Sequence, residues 1–290
     1  MRIGGASRAT GRLFALTPAT EPLAELVRRS DPDRFFSALF APAEKRPLLL
    51  ALYAFNVEIA RVADTVREPM MGEIRLEWWR ETLAGARQGM PRNHDVARAL
   101  TELCARVQLP AELFEAMIAA RAFDSSSEAF ADRAAVESYC DATSGNLMRL
   151  AARILGGEAD TAAREAGIAY ALSGILRSLP HHAARHKLFL PLDLLGVLHL
   201  TPQEIFHGGD KAKLKAAVNQ MALWAQEHLE KARALRIPKA LLPAFLPASL
   251  APLFLRRVTK RNADPLLRSA EVPIHRRQMR LLAAAMRRRL

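Results

Sequence analysis

Apolar residues recur at helical spacing along almost the whole chain of 290 residues. Residues 42–66 are nearly all apolar as far as Phe55, and Glu58, Arg61 and Asp64 follow. A helix that is apolar on every side is one that other helices surround. No segment alternates between apolar and polar residues as a half-buried strand does. The pattern therefore predicts an all-α protein with the helix of residues 42–66 at its centre.

Residues that start or stop helices mark the boundaries of several predicted elements. Pro110 suits the first turn of a helix, and the pair Gly156–Gly157 suits the end of one. Pro180 is expected to stop the helix that precedes it. The predicted helices cover, in order, residues 30–40, 42–66, 71–87, 109–130, 134–156, 160–179, 213–235 and 272–290.

The helix predicted for residues 71–87 is amphipathic. Its apolar side carries Ile74, Trp78 and Leu83, which we expect to face the protein interior. The polar side is predicted to be a solvated face, and it carries three glutamates at intervals of four residues: Glu73, Glu77 and Glu81.

The chain is predicted to form one domain. No linker is long or polar enough to divide residues 21–290, which end in a basic amphipathic helix. Residues 1–20 are expected to be flexible; they lack acidic residues and contain three arginines, which a transit peptide or an unstructured terminus explains equally well. The apolar run 240–255 is interrupted by three prolines, so it predicts buried helical turns rather than a membrane contact.

Charge is concentrated at the C-terminal end of the chain. The formal net charge is +12, and residues 255–290 hold eleven arginines and lysines against Asp264 and Glu271. Such a tail suggests an acidic partner: an anionic membrane surface, an acidic protein or a nucleic acid. No nucleic-acid recognition motif accompanies the charge, so nucleic acid is not expected. Cys104 and Cys140 form no disulfide framework and are expected to be buried thiols in a reducing compartment.

Five ordered segments carry a family pattern: "LYAFNVEIARVAD", "LEWWRETL", "LPAELFEAMIAARAFD", "YCDATSGNLMRLAARILG" and "GILRSLPHHAARHKLFLPLDLL". Together they resemble the squalene/phytoene synthase family. The resemblance implies an all-α isoprenoid synthase bundle with a central cavity, whose enzymes join two prenyl diphosphates head to head. In that chemistry magnesium neutralises the diphosphate leaving group, and aspartates four residues apart on two facing helices hold the metal.

The chain departs from the family pattern at the aspartates themselves. Where the first motif places aspartates the chain has Ala60, Arg61 and Asp64, and where the second places them it has Ser178 and His182. Another expected polar position, an asparagine, is a glycine at residue 174. This pattern resembles a divergent branch of the family whose mitochondrial members are assembly factors for respiratory complex I.

The replacements reverse the expected charge of the metal site. Magnesium prefers hard anionic oxygen ligands, and Arg61 is predicted to place a positive charge where the ion would lie. His181, His182, Arg185 and Lys187 add further positive or ionisable groups. Such a surface can bind a diphosphate directly through charge-assisted hydrogen bonds, although a solvated basic loop is the alternative.

Carboxylates and histidines elsewhere in the chain are further candidate ligands. Asp124 and Glu128 are four residues apart and, with Asp64, could form a relocated magnesium site on one helix face. His182 and His186 have the spacing of zinc ligands, but the glutamate of such motifs is missing, and Pro180 argues against a helix that starts before it. Glu58 and Arg61 are expected to form an ion pair. We therefore expect no cofactor, and magnesium only if the protein is an active enzyme.

Two functions remain open. The first is a non-catalytic scaffold or assembly factor that binds partner proteins of a respiratory or membrane complex and holds an isoprenoid lipid or prenyl diphosphate. It would lie in the cytoplasm, peripheral to the inner face of a membrane, or in the mitochondrial matrix of a eukaryote. The alternative is a magnesium-dependent prenyl transferase with an unusual metal site. The residues predicted to line its pocket are Tyr53, Asn56, Asp64, Trp79, Asp124, Tyr139, Gly145, Asn146, Arg177, His181, Arg185 and Lys187.

Overall fold

The computed structural model describes residues 21–66, 68–267 and 272–290. Every regular element in these three ranges is helical, as the periodicity predicts. The expectation that residues 1–20 are flexible lies outside the described residues.

The first half of the described chain consists of nine α-helices and one π-helical turn. The helices are α1 (Glu21–Ser30), α2 (Pro32–Ala38), α3 (Arg46–Ala60), α4 (Val62–Thr65), α5 (Pro69–Arg87), α6 (Asp95–Arg106), α7 (Ala111–Ser125), α8 (Arg133–Cys140) and α9 (Asn146–Ile154), with the π-turn (Asp141–Gly145) between α8 and α9.

The second half contains eight α-helices and two 3₁₀ turns. They are α10 (Asp160–Arg177), α11 (Leu179–Ala184), α12 (Leu192–Val197), α13 (Pro202–Phe206), α14 (Lys211–Ala234), a 3₁₀ turn (Lys239–Leu241), α15 (Leu242–Phe245), a 3₁₀ turn (Leu246–Leu250), α16 (Ala251–Val258) and α17 (Ile274–Arg287).

Helices α3 and α10 form the centre of the bundle. Every side chain from Leu48 to Ile59 is buried, which confirms the prediction that this helix is surrounded on all sides. Helix α10 packs against α14, α16 and the π-turn. The apolar interior divides into two large clusters, one around α3 and the other around α10 and α14.

Both central helices end beside a short second helix. Helix α3 stops at Ala60, and α4 starts at Val62 after a break at Arg61. Helix α10 ends at Arg177, and α11 begins at Leu179, with Pro180 in its first turn. Proline stops the first helix, as expected, but it also suits the start of the next, because the first turn needs no backbone N–H donor.

The expectation of a solvated loop after α10 is therefore wrong for the first part of that segment. Leu179 and Ala183 are buried on the inner side of α11 and anchor it to the bundle. The argument that no helix would start before Pro180 is wrong for the same reason. The helix ends at Ala184, and His186 has a positive φ of 53°, so His182 and His186 do not share a helix face.

Helix α5 shows an error in the predicted helix phase. Ile74 is 55% exposed, whereas Leu76, Trp79 and Leu83 are buried. Because Trp78 and Trp79 are adjacent, two different faces of the helix are equally apolar in the sequence. In the structure Trp79 is buried more deeply than Trp78. The polar side is as predicted, because its glutamates are exposed: Glu73, Glu77 and Glu81.

The apolar run near residue 250 is folded into the bundle. Residues Lys239–Val258 are long and apolar enough to span a membrane by length and composition, but 78% of the most apolar stretch is buried inside the protein. The three prolines each lie in the first turn of a short helical segment. The prediction of buried helical turns is confirmed.

Candidate functional site

A cavity of about 430 Å³ lies between the ends of the two central helices. Ala60 and Asp64 line it from the α3–α4 break, and Ser178 and His182 line it from the α10–α11 break. The two segments in which the family pattern places aspartates therefore face the same space, 114 or more residues apart in sequence.

Eight of the predicted pocket residues line this cavity, and four do not. The eight are Asn56, Asp64, Asp124, Tyr139, Arg177, His181, Arg185 and Lys187. Tyr53 and Trp79 are buried in the apolar interior, where Trp79 packs edge-to-face on Phe55 with ring centroids 5.6 Å apart. Asn146 accepts a hydrogen bond from Arg149, and Gly145 lies against α10.

Two charged residues near the motifs lie elsewhere than expected. Arg61 points away from the cavity and forms an ion pair with Glu58 at 2.7 Å, so the predicted pair is present but Arg61 places no charge at the metal position. The helix breaks at this residue, which turns its side chain outward. Glu128 follows the end of α7 at Ser125 and does not line the cavity, so it shares no helix face with Asp124.

Sequence reasoning missed one wall of the cavity. Asp31, Asp33 and Arg34 reach it from the start of α2, and Arg277 reaches it from α17. Asp31 also caps α2, where its side chain accepts a hydrogen bond from the Arg34 backbone N–H at 3.1 Å. Nothing local in the sequence indicates that Arg277 joins residues more than 240 positions earlier.

On this missed wall two carboxylates are each engaged by an arginine. Asp31 pairs with Arg34 at 2.6 Å, and Asp33 pairs with Arg277 at 2.8 Å. Asp33 is almost completely buried, and this burial raises the pKa of its carboxyl group although Arg277 opposes the change.

The carboxylates of the opposite walls are engaged in the same way. Asp124 accepts hydrogen bonds from Tyr139 Oη at 2.6 Å and from Arg121 Nη1 at 3.0 Å. Asp64 forms an ion pair with Arg185, whose second nitrogen donates to the backbone carbonyl of Ala63 at 2.8 Å. All four carboxylates among the described cavity residues therefore already have an arginine partner.

A sequence model described as "Squalene/phytoene synthase" matches residues 27–278 of this chain. The chain belongs to the squalene/phytoene synthase family. The matched range includes both motif segments and all of the described cavity residues.

Relatives from two parts of this family are similar to the chain. Complex I assembly factor 6 of Homo sapiens, an NADH dehydrogenase (ubiquinone) assembly factor, is 31% identical over 246 residues, which is 83% of this chain and 74% of the human protein. The 15-cis-phytoene synthase of Synechococcus elongatus is 23% identical and covers 97% of each chain. The sequence is thus similar to both assembly factors and synthases of the family.

Solved structures confirm the fold. A dehydrosqualene synthase superposes with a TM-score of 0.80 at 17% identity, covering 93% of this chain and 96% of the other. Squalene synthase HpnC from Alicyclobacillus acidocaldarius gives 0.74 at 19% identity, covering 84% and 94%. The all-α isoprenoid synthase bundle expected from the family resemblance is therefore the fold of this chain.

The family's magnesium does not fit the residues of this cavity. Magnesium needs anionic oxygens that are free to coordinate it, and here arginines occupy each cavity carboxylate. No group of three or more histidine, cysteine or acidic side chains that could hold a metal ion occurs in the described parts of the chain.

His182 and Lys187 give the second motif its electrostatic character. Burial and the neighbouring His181 lower the pKa of His182 to about 4, so this ring is neutral near pH 7. Burial lowers the pKa of Lys187 to about 8, which leaves the ammonium mostly charged near pH 7. The arginines and Lys187 therefore supply positive charge to the cavity, and His182 does not.

Proposed function

We propose that this chain is a non-catalytic member of the squalene/phytoene synthase family that acts as an assembly factor for respiratory complex I. The single observation that carries the proposal is the pairing of all four described cavity carboxylates with arginines. The similarity to complex I assembly factor 6 supports the choice of partner complex.

The chemistry of the family explains why this pairing supports the proposal. An allylic diphosphate ionises only when positive charge neutralises its leaving group, and magnesium supplies that charge when carboxylates hold it. Asp64 is the remaining aspartate of the first motif, but Arg185 engages it, and its side chain is 54% exposed. A retained cavity without a metal site suits a protein that holds a ligand but does not convert it.

Helix α17 supports a peripheral position on an anionic membrane. Its inner side packs on the bundle through Leu281 and Ala284. Its outer side exposes three large apolar residues at helical spacing, and arginines flank them, as in interfacial helices. The exposed residues are Met279, Leu282 and Met286, with Arg276 and Arg287 beside them. The proposed location is the face of the membrane that carries complex I: the cytoplasmic face in a bacterium, or the matrix face in a mitochondrion.

Deletion of the gene from its host tests the assembly role. We expect less fully assembled complex I on native gels and slower NADH oxidation by isolated membranes, with other respiratory complexes unchanged as the internal control. The wild-type chain and Asp64→Asn should restore assembly equally, because no metal-bound step depends on this carboxylate. Normal complex I levels in the deletion strain would contradict the proposal.

The alternative of a prenyl transferase with an unusual metal site rests on one observation. Asp64 and Asp124 both line the cavity, so they could be recruited if arginine contacts rearranged. In that case Asp64→Asn would fail to restore the function of the deleted gene although the variant folds normally.

A further inference from the structure

The charges that line the cavity do not balance. Its described lining contains four carboxylates and six permanent or mostly charged cations: Arg34, Arg121, Arg177, Arg185, Lys187 and Arg277. Four of the arginines pair with the four carboxylates. Arg177 and Lys187 are left without a carboxylate within ion-pair distance among the described residues.

Arg177 lies at the end of α10, where its guanidinium stacks over the ring of Phe254 at 4.3 Å from the centroid. Asp33 is near enough to interact with it electrostatically, but that carboxylate is already bound to Arg277. The stacking fixes one face of the guanidinium and leaves its in-plane N–H donors available, which is the geometry that binds phosphate oxygens.

Lys187 is fixed by the loop that follows α7. Its ammonium donates to the backbone carbonyls of Phe123 at 2.6 Å, Ser126 at 2.8 Å and Glu128 at 3.1 Å. It also lies 3.7 Å from the centroid of the Phe123 ring. These three carbonyls accept all three ammonium hydrogens, so Lys187 would attract a bound anion through its charge and not through a hydrogen bond. Asp124 and Glu128 are near enough to interact electrostatically with this ammonium but form no ion pair with it.

We infer that the cavity binds a phosphate dianion, free or as a monoester, directly and without a metal ion, and that Arg177 and Lys187 supply the two balancing charges. The inference rests on the proposed function, since it describes a ligand that is held rather than converted. A phosphate monoester carries roughly −1.5 to −2 charges at neutral pH, which matches the two surplus cations. A diphosphate with its magnesium ions is the ligand of a cavity with a net negative charge from carboxylates. The cavity of this chain has a net positive charge.

The rest of the lining has room for an organic group. The cavity volume of about 430 Å³ falls in the usual range of small-molecule sites, roughly 300–1,000 Å³. Ile175, Phe189 and Phe254 contribute apolar surface beside the two cations. The ligand class is therefore a phosphate group, either free or carried by an apolar chain.

Calorimetric titration in excess EDTA tests the inference with two probes, inorganic phosphate and geranyl monophosphate. We expect binding without any metal, and a Kd roughly 10- to 150-fold higher in Arg177→Gln, since a charge-assisted hydrogen bond is worth about 1.5–3 kcal/mol. Lys187→Gln should also raise the Kd, because it removes a positive charge beside the anion. Equal affinity for the two probes would indicate a free phosphate site, and tighter binding of geranyl monophosphate would indicate a phosphorylated lipid.

Lys215→Gln is the matched control. Lys215 also donates to three backbone carbonyls, of Val258, Lys260 and Ala263, and burial also lowers its pKa, but it does not line the cavity. This variant should fold like Lys187→Gln and bind both probes like the wild type. Weaker binding in Lys187→Gln but not in Lys215→Gln then assigns the effect to the cavity lysine and not to the loss of any carbonyl-anchored ammonium.

Three results would overturn the inference: no binding of either probe in EDTA, binding that requires added magnesium, or unchanged affinity in both cavity variants. These results differ from failure of the proposed function. Normal complex I assembly in the deletion strain would remove the assembly role, yet phosphate binding in EDTA would still show a metal-free anion site.

Discussion

Arg185 forms an ion pair with Asp64, so the basic segment that replaces the second motif contacts the one aspartate left in the first. The two residues are 121 positions apart in sequence. Two facing aspartate motifs would repel each other without metal ions between them. Here the opposite charges meet directly in an ion pair.

Magnesium should therefore leave the stability of the protein unchanged. A ligand that binds only the native state raises the midpoint of thermal unfolding, and the rise grows with the logarithm of its concentration above its Kd. An arginine engages every described cavity carboxylate. We therefore expect the Tm measured in EDTA to equal the Tm measured in magnesium chloride, at concentrations raised in tenfold steps to the millimolar range. Potassium chloride at equal ionic strength is the control. A rise of several degrees with magnesium alone would reveal a functional metal site.

The two ion pairs of the motif region should differ in their contribution to stability. The side chain of Asp124 is 11% exposed, and Arg121→Gln leaves this carboxylate without its cation, which costs about 3–5 kcal/mol for a buried pair. Asp64 is 54% exposed, and Arg185→Gln should cost less than about 1 kcal/mol. Urea unfolding measures both values. If both variants lost the same free energy of unfolding, burial would not explain the contributions of the two ion pairs.

Gly167 should tolerate no side chain. A Cβ atom there would lie 2.5 Å from the backbone Cα and N of Gly145, so α10 can approach the π-turn only through glycine. We expect Gly167→Ala to lower the free energy of unfolding by more than about 1–3 kcal/mol, the usual cost of overpacking, because backbone must move.

Gly174→Ala in the same helix is the control. A Cβ atom at Gly174 meets nothing within 4 Å, and alanine favours a helix interior by about 1 kcal/mol over glycine. This variant should be as stable as the wild type or more stable. If both variants lose stability equally, close packing at Gly167 is not the cause.

Acidification should destabilise the protein partly through His182. Its pKa falls from 6.5 to about 4 in the folded state, because burial disfavours the charged ring. Between these values the unfolded chain binds a proton that the folded chain does not, so the free energy of unfolding decreases as pH falls through this window. We expect His182→Gln to lose less stability than the wild type between pH 7 and pH 5. Identical losses in chemical denaturation at the two pH values would contradict the shift.

The sequence predicts the fold well because helical periodicity and the family pattern agree over most of the chain. It also predicts the facing positions of Ala60, Asp64, Ser178 and His182, which the structure places around one cavity. These positions follow from family geometry and do not depend on which residues occupy them.

The charge pairing inside the cavity could not be predicted from the sequence. Arg277 reaches Asp33 across 244 positions, and neither residue belongs to a recognisable motif. Arg61 looked like a metal-repelling residue, but the helix break turns it toward Glu58. In both cases the outcome depends on tertiary packing and on the exact end of a helix, which local patterns do not determine.

The central claim is that the family's chemistry has been lost while its cavity remains. The most direct test is release of pyrophosphate by the purified, folded protein, given farnesyl or geranylgeranyl diphosphate with magnesium. A squalene/phytoene synthase assayed in parallel shows that the conditions support turnover. We predict no release above the protein-free background, in the wild type and in Asp64→Ala alike. Magnesium-dependent release that Asp64→Ala abolishes would contradict the account and show that the cavity still assembles a metal site.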